Sequence, residues 1–177
     1  TDYERNVAGL ENSEFLTANC FCRRDVLLAL GGFDERFAAA WREDSDLHFR
    51  LLDLGGTIRR VTSAVVVHPV RKRAWGISLR EQHKALFDAL LFRKHPRHFR
   101  ERIRPTCPSQ YYLILAAALI AIIAAARGHW FICLTATAIW LGLSIAFCLR
   151  RLRGTSHAPA HLAEMAVTSL LIPFLSI

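Results

Sequence analysis

Residues 109–126 read SQYYLILAAALIAIIAAA, a run without a single charged side chain. A second uncharged run, GHWFICLTATAIWLGLSIAFCL, covers residues 128–149. An α-helix needs about 20 apolar residues to cross the hydrocarbon core of a membrane. The two runs therefore predict two transmembrane helices, joined by a tight hairpin at residues 127–129. A third apolar run begins at about residue 162 and predicts a third, truncated span.

The part of the chain that precedes these runs is basic. The whole sequence has 23 Lys and Arg against 15 Asp and Glu, a net charge of +8. Basic residues crowd at 93–104, before the first run, and at 150–153, after the second. Such clusters bind nucleic acid or anionic lipid, and beside predicted spans we expect membrane lipids and no nucleic acid. Because cytoplasmic loops carry the excess of Lys and Arg, residues before 107 are predicted to be cytoplasmic.

Local patterns predict both strands and helices before residue 107. Residues 15–22, 57–62 and 64–68 are rich in strand-forming side chains. Residues 25–30 and a segment from 45 or 46 to 54 have the caps and apolar spacing of helices.

A further helix is predicted to begin at Ser78, because Ser78 and Glu81 have the spacing of a capping box. This helix is amphipathic, and the sequence leaves open whether it packs on its own domain or lies on the membrane. The patterns divide the chain into residues 1–75, an amphipathic and basic juxtamembrane segment at 76–107, and a transmembrane region at 108–177.

Two motifs occur in order within the first part: GGFDERF at residues 31–37 and WREDSD at residues 41–46. With their surroundings, from Phe15 to Arg71, they resemble the C-terminal half of the catalytic domain of family 2 glycosyltransferases, inverting enzymes of the GT-A fold. The resemblance implies an α/β fold, a partial GT-A domain with a Rossmann-like mixed sheet, followed by transmembrane α-helices. It also implies a fragment that lacks the nucleotide-binding half and is inactive alone.

The resemblance implies a hexosyltransferase-type enzyme. It would transfer a sugar from a nucleotide-sugar donor to a lipid-linked or glycan acceptor, in a multi-pass protein of a bacterial-type plasma membrane with its catalytic part in the cytoplasm. The family's catalytic base is the aspartate of a Glu-Asp pair, which maps here onto Asp44 beside Glu43. Capping of the following helix is the alternative role for these carboxylates. The substrate-binding candidates are Asn19, Gly32, Trp41 and Asp46.

A divalent cation, Mg²⁺ or Mn²⁺, is implied as the group that stabilises the departing diphosphate. Asp44-Ser45-Asp46 has the spelling of the family's metal-binding D-x-D, but it enters a predicted helix, whereas the family's D-x-D ends an apolar strand. We therefore expect the metal to be bound mostly by a D-x-D outside this chain. His68, at the end of a predicted strand, is the metal-ligand candidate, since imidazole suits manganese.

A non-enzymatic function is the alternative hypothesis. The chain would then be a membrane protein whose basic cytoplasmic domain binds lipids or a partner protein. This alternative predicts that Asp44 is dispensable.

Overall fold

The computed structural model describes residues 7, 9–67, 69–70 and 73–177, and these residues are helical or irregular. Short 3₁₀ turns lie at Gly9–Asn12, Thr17–Asn19 and Glu81–Lys84. The α-helices are α1 (Arg24–Ala29), α2 (Glu43–Asp53), α3 (Ile77–Arg80), α4 (Ala85–Lys94), α5 (Pro96–Arg102), α6 (Ser109–Ala126), α7 (Trp130–Leu152) and α8 (Pro159–Leu175).

The predicted α/β fold with a mixed GT-A sheet is wrong, because the described residues contain no strand. Leu16 and Cys20 do have extended backbone dihedrals, with φ near −141° and −137°. An extended segment becomes a strand only when a neighbour pairs with its backbone N–H and C=O groups. Two of the predicted strands meet instead through one side chain, since Asn19 Nδ2 donates to the Ala64 carbonyl at 2.8 Å. The valines at 65–67 are exposed, Val67 by 84%, and no described strand pairs with them.

The chain forms two compact units. One, which we call the polar unit, consists of residues 7–71 and 84–105. The other, the hairpin unit, contains residues 72–83 and 106–177. The segment 76–107 that the sequence marked as juxtamembrane is thus divided between the two units.

The polar unit has an aromatic core. Helix α2 contributes to it, and Leu47 and Leu51 on the same helix are buried, as their spacing predicts. Leu54, which the same spacing placed with them, is 62% exposed beyond the end of the helix. The core cluster consists of Phe37, Phe49, Phe87, Leu91 and Phe99.

The hairpin unit contains the two predicted spans. Helices α6 and α7 occupy the two predicted runs and are long and apolar enough to cross a membrane, with mean hydropathies of 2.0 and 2.1. Only 17% of the most apolar window of each helix is buried within the chain. Large exposed apolar surfaces of this kind mark contact with a membrane or another protein. Gly128 makes the turn between the helices with φ +72°, a conformation that glycine adopts without strain.

Helix α8 covers the third apolar run but begins earlier, at Pro159. Ile172 of α8 packs with Ile114 of α6 and Phe147 of α7 in a small buried cluster. Polar contacts reinforce this packing near the end of α7. Arg151, although buried, donates hydrogen bonds to Thr168 Oγ1 at 2.7 Å and to Ser169 Oγ at 2.9 Å.

The predicted helix start at Ser78 is also wrong. Helix α3 begins after Gly76, whose φ of +73° is the left-handed conformation, and it makes no side-chain cap. Ser78 lies inside this helix, and its hydroxyl accepts a hydrogen bond from Arg151 at 3.2 Å. A residue that resembled a local cap therefore has a long-range contact instead.

Candidate functional site

The predicted catalytic pair lies in the first turn of α2, and an unusual backbone conformation precedes it. Arg42, the N-cap residue, has a φ of +74°, which a residue other than glycine rarely adopts. Asp88 of α4 holds this turn in place. Its Oδ1 accepts one hydrogen bond from Arg42 Nε at 2.6 Å and another from Trp41 Nε1 at 3.0 Å. Strained backbone of this kind is concentrated at functional sites.

The Asp44 carboxylate is half-buried and has only local contacts. The hydrogen bonds that it accepts within the described residues both come from Ser45, from the backbone nitrogen at 2.7 Å and from Oγ at 3.4 Å. No described cation forms an ion pair with it. Free N–H groups at the start of a helix attract negative charge. Since both bonds from Ser45 end on Oδ1, Oδ2 of Asp44 can accept a further hydrogen bond.

Glu43, the other member of the pair, has a different environment. Its Oε2 is buried and has no hydrogen-bond partner among the described residues. Burial raises the pKa of Glu43, and the negative charge of Asp44 raises it further.

Asp46 differs from both, because its side chain is completely buried among cationic and imidazole side chains. Its Oδ1 accepts hydrogen bonds from Lys94 Nζ and from His95 Nε2 at 2.9 Å, and its Oδ2 accepts one from Arg50 Nε at 2.9 Å. Burial alone would raise the pKa of Asp46. The hydrogen bonds from Lys94 and His95 and the charges of Lys94 and Arg50 outweigh burial and hold the pKa below its usual range.

The same network ties the 31–37 motif to α2 and α4. Lys94 Nζ binds Asp34 Oδ2 at 2.5 Å, and Arg36 binds the same oxygen at 2.7 Å. The hydrogen bonds from Arg36 and Lys94 hold the pKa of Asp34 well below its usual range. Gly32, a predicted substrate-binding residue, enters the network through its backbone, since its carbonyl accepts a hydrogen bond from Arg50 at 2.8 Å. The motif thus has a clear structural role.

The polar unit is expected to lose stability in acid. The folded pKa values of Asp34 and Asp46 lie below the unfolded value of about 4, so their contribution to stability is complete above that pH. It is lost as the pH falls through the folded values. Urea unfolding in detergent, followed by circular dichroism, should therefore show a falling free energy of unfolding below about pH 4, and Asp34→Asn should flatten part of this fall. The same pH dependence in Asp34→Asn and wild type would contradict this account.

The other two predicted substrate-binding residues are exposed. Asn19 uses its amide to bond the Ala64 carbonyl, as described above. Trp41 is 40% exposed, but its ring has two cationic neighbours. The Arg42 guanidinium lies 4.8 Å and Lys84 Nζ 5.4 Å from the ring centroid. Part of the indole surface beside Asp44's helix is therefore available to a ligand, and part is covered by cations.

The described residues do not fit a resident divalent cation. Within the described part of the chain, no group of three or more His, Cys, Asp or Glu side chains is arranged to hold a metal ion. Asp44 and Asp46 do not act as a metal-binding D-x-D, because Asp46 is buried against Lys94, His95 and Arg50. His68, the predicted metal ligand, lies outside the described residues.

Residues at the end of α4 hold α2 in place, although residues 93–104 were predicted to be a basic cluster that binds lipid. A signal for them was present. Phe87 and Leu91 are buried on α4, and Lys94 lies one turn after Leu91 on the same helix face. Lys94 binds the Asp46 carboxylate, as does His95, the residue that directly follows the helix.

The candidate site is thus the first turn of α2, with Asp44 open to a ligand, Glu43 partly buried beside it and Asp46 fixed beneath them in the polar network. No protein-family model matches the chain, and neither does any curated protein or solved structure among those compared with it.

Proposed function

We propose that this protein is a membrane-bound glycosyltransferase in which Asp44 is the general base. The reaction would transfer a sugar from a nucleotide-sugar donor to a hydroxyl group of a lipid-linked or glycan acceptor, with inversion. One observation carries the proposal. Asp44 lies half-exposed at a helix start, and among the described residues only Ser45 is bonded to it, whereas the carboxylates of Asp34, Asp46 and Asp88 are all bound by cations.

The chemistry needs a group that accepts one proton. The acceptor hydroxyl attacks the anomeric carbon of the donor from the side opposite the nucleoside diphosphate. A new carbon–oxygen bond forms, the bond from that carbon to the diphosphate oxygen breaks, and Asp44 takes the hydroxyl proton. A base must reach the hydroxyl at a hydrogen-bond distance of about 2.6–3.2 Å. A carboxylate offers about four lone-pair positions, and Ser45 occupies only one oxygen of Asp44.

The neighbouring residues have supporting roles in this proposal. Glu43, whose Oε2 has no hydrogen-bond partner among the described residues, is a group that can hydrogen-bond to the acceptor. The exposed part of the Trp41 ring is a surface on which a sugar can stack. Asp46 is a positioning residue, because its buried side chain has no surface with which to touch a substrate. The divalent cation stays a prediction that needs ligands other than the described residues.

A transfer assay tests the proposed reaction. The chain, joined to the nucleotide-binding half that the resemblance implies, is incubated in lipid nanodiscs with radiolabelled UDP- or GDP-activated sugars and a polyprenyl phosphate acceptor, with Mn²⁺ or Mg²⁺ present. The 177 residues alone are expected to show no transfer. With the joined chain, we expect the label to appear in the lipid extract, in the anomeric configuration opposite to that of the donor. Retention of the donor's configuration, or no incorporation from any of these donors, would contradict the proposal.

We also propose that the polar unit faces the cytoplasm of a bacterial-type cell. The support is the charge distribution, since basic residues flank the two spans at Arg104 and Arg150 while Arg127 is alone in the hairpin turn. Single cysteines in a cysteine-free background, at Arg100, His129 and Arg153, test this with a membrane-impermeant maleimide. Intact cells should label only the cysteine at 129. Labelling at 100 and 153 with protection at 129 would invert the topology.

A further inference from the structure

A groove of about 520 Å³ lies within the hairpin unit, where α7 ends and α8 begins. Gly154, with φ +71°, ends the α7 segment in the left-handed conformation and turns the chain away from the helix. The residues that line the groove are Leu149, Leu152, Arg153, Gly154, His157 and Leu162.

The lining combines two chemistries. Leu149, Leu152 and Leu162 form an apolar wall. Leu149 is 57% exposed, because nothing in the described chain covers it. Arg153 and His157 also line the groove, and both side chains have nitrogen donors. A guanidinium is suited to phosphate because its N–H groups form a rigid fork that can donate two parallel hydrogen bonds. An apolar wall beside such a donor is complementary to a ligand with a hydrocarbon chain and an anionic head.

The position of the groove agrees with this chemistry. Helix α7 is long and apolar enough to cross a membrane, and Arg153 directly follows its last residue, Leu152. The end of a span is where hydrocarbon gives way to the phosphate headgroups. With α7 across the membrane, Leu149 lies on the hydrocarbon side of this boundary and Arg153 on the headgroup side.

We propose that this groove binds one anionic phospholipid, with an acyl chain against the three leucines and the headgroup phosphate on Arg153 and His157. The proposal depends on α7 crossing the membrane and is independent of sugar transfer. It differs from the general attraction between basic segments and anionic membranes, because it assigns one lipid to one groove.

Neighbouring arginines provide the contrast that a test needs. Arg150 is exposed at the same end of α7, but it does not line the groove. Arg151 is buried and bonded to Thr168 and Ser169 of α8. Replacing Arg150 therefore removes the same charge at almost the same depth without changing the groove.

The experiment is native mass spectrometry of the full chain released from nanodiscs of phosphatidylcholine with and without phosphatidylglycerol. We expect one phosphatidylglycerol to be retained per chain in preference to phosphatidylcholine. Arg153→Gln should weaken this retention about tenfold, because it removes charge-assisted hydrogen bonds to one phosphate, and Arg150→Gln should leave it unchanged. Leu162→Trp, which fills the groove and keeps its charge, should also reduce retention. Circular dichroism checks that each variant keeps its helical content.

Three results would overturn the proposal. The first is equal weakening by Arg150→Gln and Arg153→Gln, because this would show a general electrostatic attraction. The second is unchanged retention in a helical Leu162→Trp variant, because the apolar wall would then have no part in binding. The third is complete competition by inorganic phosphate, because the groove would then bind the anion without its lipid.

Discussion

Asp44→Asn is expected to lower the rate of sugar transfer by a factor of about 10²–10⁴ while leaving the protein folded. The amide has nearly the shape of the carboxylate, and its oxygen can still accept the hydrogen bond from the Ser45 backbone nitrogen. It cannot take the proton of the attacking hydroxyl. The measurement is the initial rate of label transfer into lipid, with the chain and its nucleotide-binding half in nanodiscs and both substrates saturating.

Asp25→Asn is the matched control. Asp25 is also an aspartate in the first turn of a helix, but it is exposed and bound to Arg23. If Asp44 only favoured the start of its helix, the two variants would have similar, small effects on the rate. The non-enzymatic alternative predicts no dependence on Asp44 at all. A rate for Asp44→Asn within a few-fold of wild type would rule Asp44 out as the base.

Asp46→Asn is expected to lower the free energy of unfolding of the polar unit by about 3 kcal/mol. Removing one partner of a buried ion pair typically costs about 3–5 kcal/mol, because the remaining charge is buried without compensation. The lower end applies here, since Lys94 keeps Asp34 and Arg50 keeps the Gly32 carbonyl. Urea unfolding of the chain in detergent, at neutral pH and followed by circular dichroism, measures the change.

Glu101→Gln is the control for this prediction. Glu101 forms an exposed pair with Arg97 one turn away on α5, and exposed ion pairs are weak because water and salt screen them. Its unfolding midpoint should coincide with that of wild type. Equal unfolding midpoints for Asp46→Asn and wild type would show that the buried network does not stabilise α2.

Helices α6 and α7 could be predicted from the sequence because their signal is local. A run such as 109–126 has no charged residue, so its composition alone fixes both the type of structure and its length. The turn at Gly128 follows from the same logic, since only a short polar interruption separates two apolar runs.

A sheet was predicted and is not found among the described residues, because a strand forms only when a partner elsewhere in the chain pairs with it. The valines at 65–67 have high β-propensity, and Leu16 and Cys20 do adopt extended dihedrals. Propensity describes how a residue fits a sheet that already exists. Without pairing among the described residues, these segments stay irregular.

The candidate site was predictable in its local part and not in its long-range part. The start of α2 follows from the acidic residues at 43–46, and the structure places it within two or three residues of the predicted start. The partners Asp88, Lys94 and His95 come from more than 40 residues further along the chain. Their roles depend on how α4 packs against α2, and no local motif contains that information.

The central claim is that two carboxylates two residues apart have separate tasks, Asp44 in chemistry and Asp46 in stability. The most direct test measures the transfer rate and the unfolding midpoint on the same preparations of wild type, Asp44→Asn and Asp46→Asn. Asp44→Asn should lose transfer and keep the wild-type midpoint, whereas Asp46→Asn should unfold at a markedly lower urea concentration. The account would be contradicted if Asp44→Asn retained transfer, or if its loss of transfer were accompanied by a fall in the midpoint as large as that of Asp46→Asn.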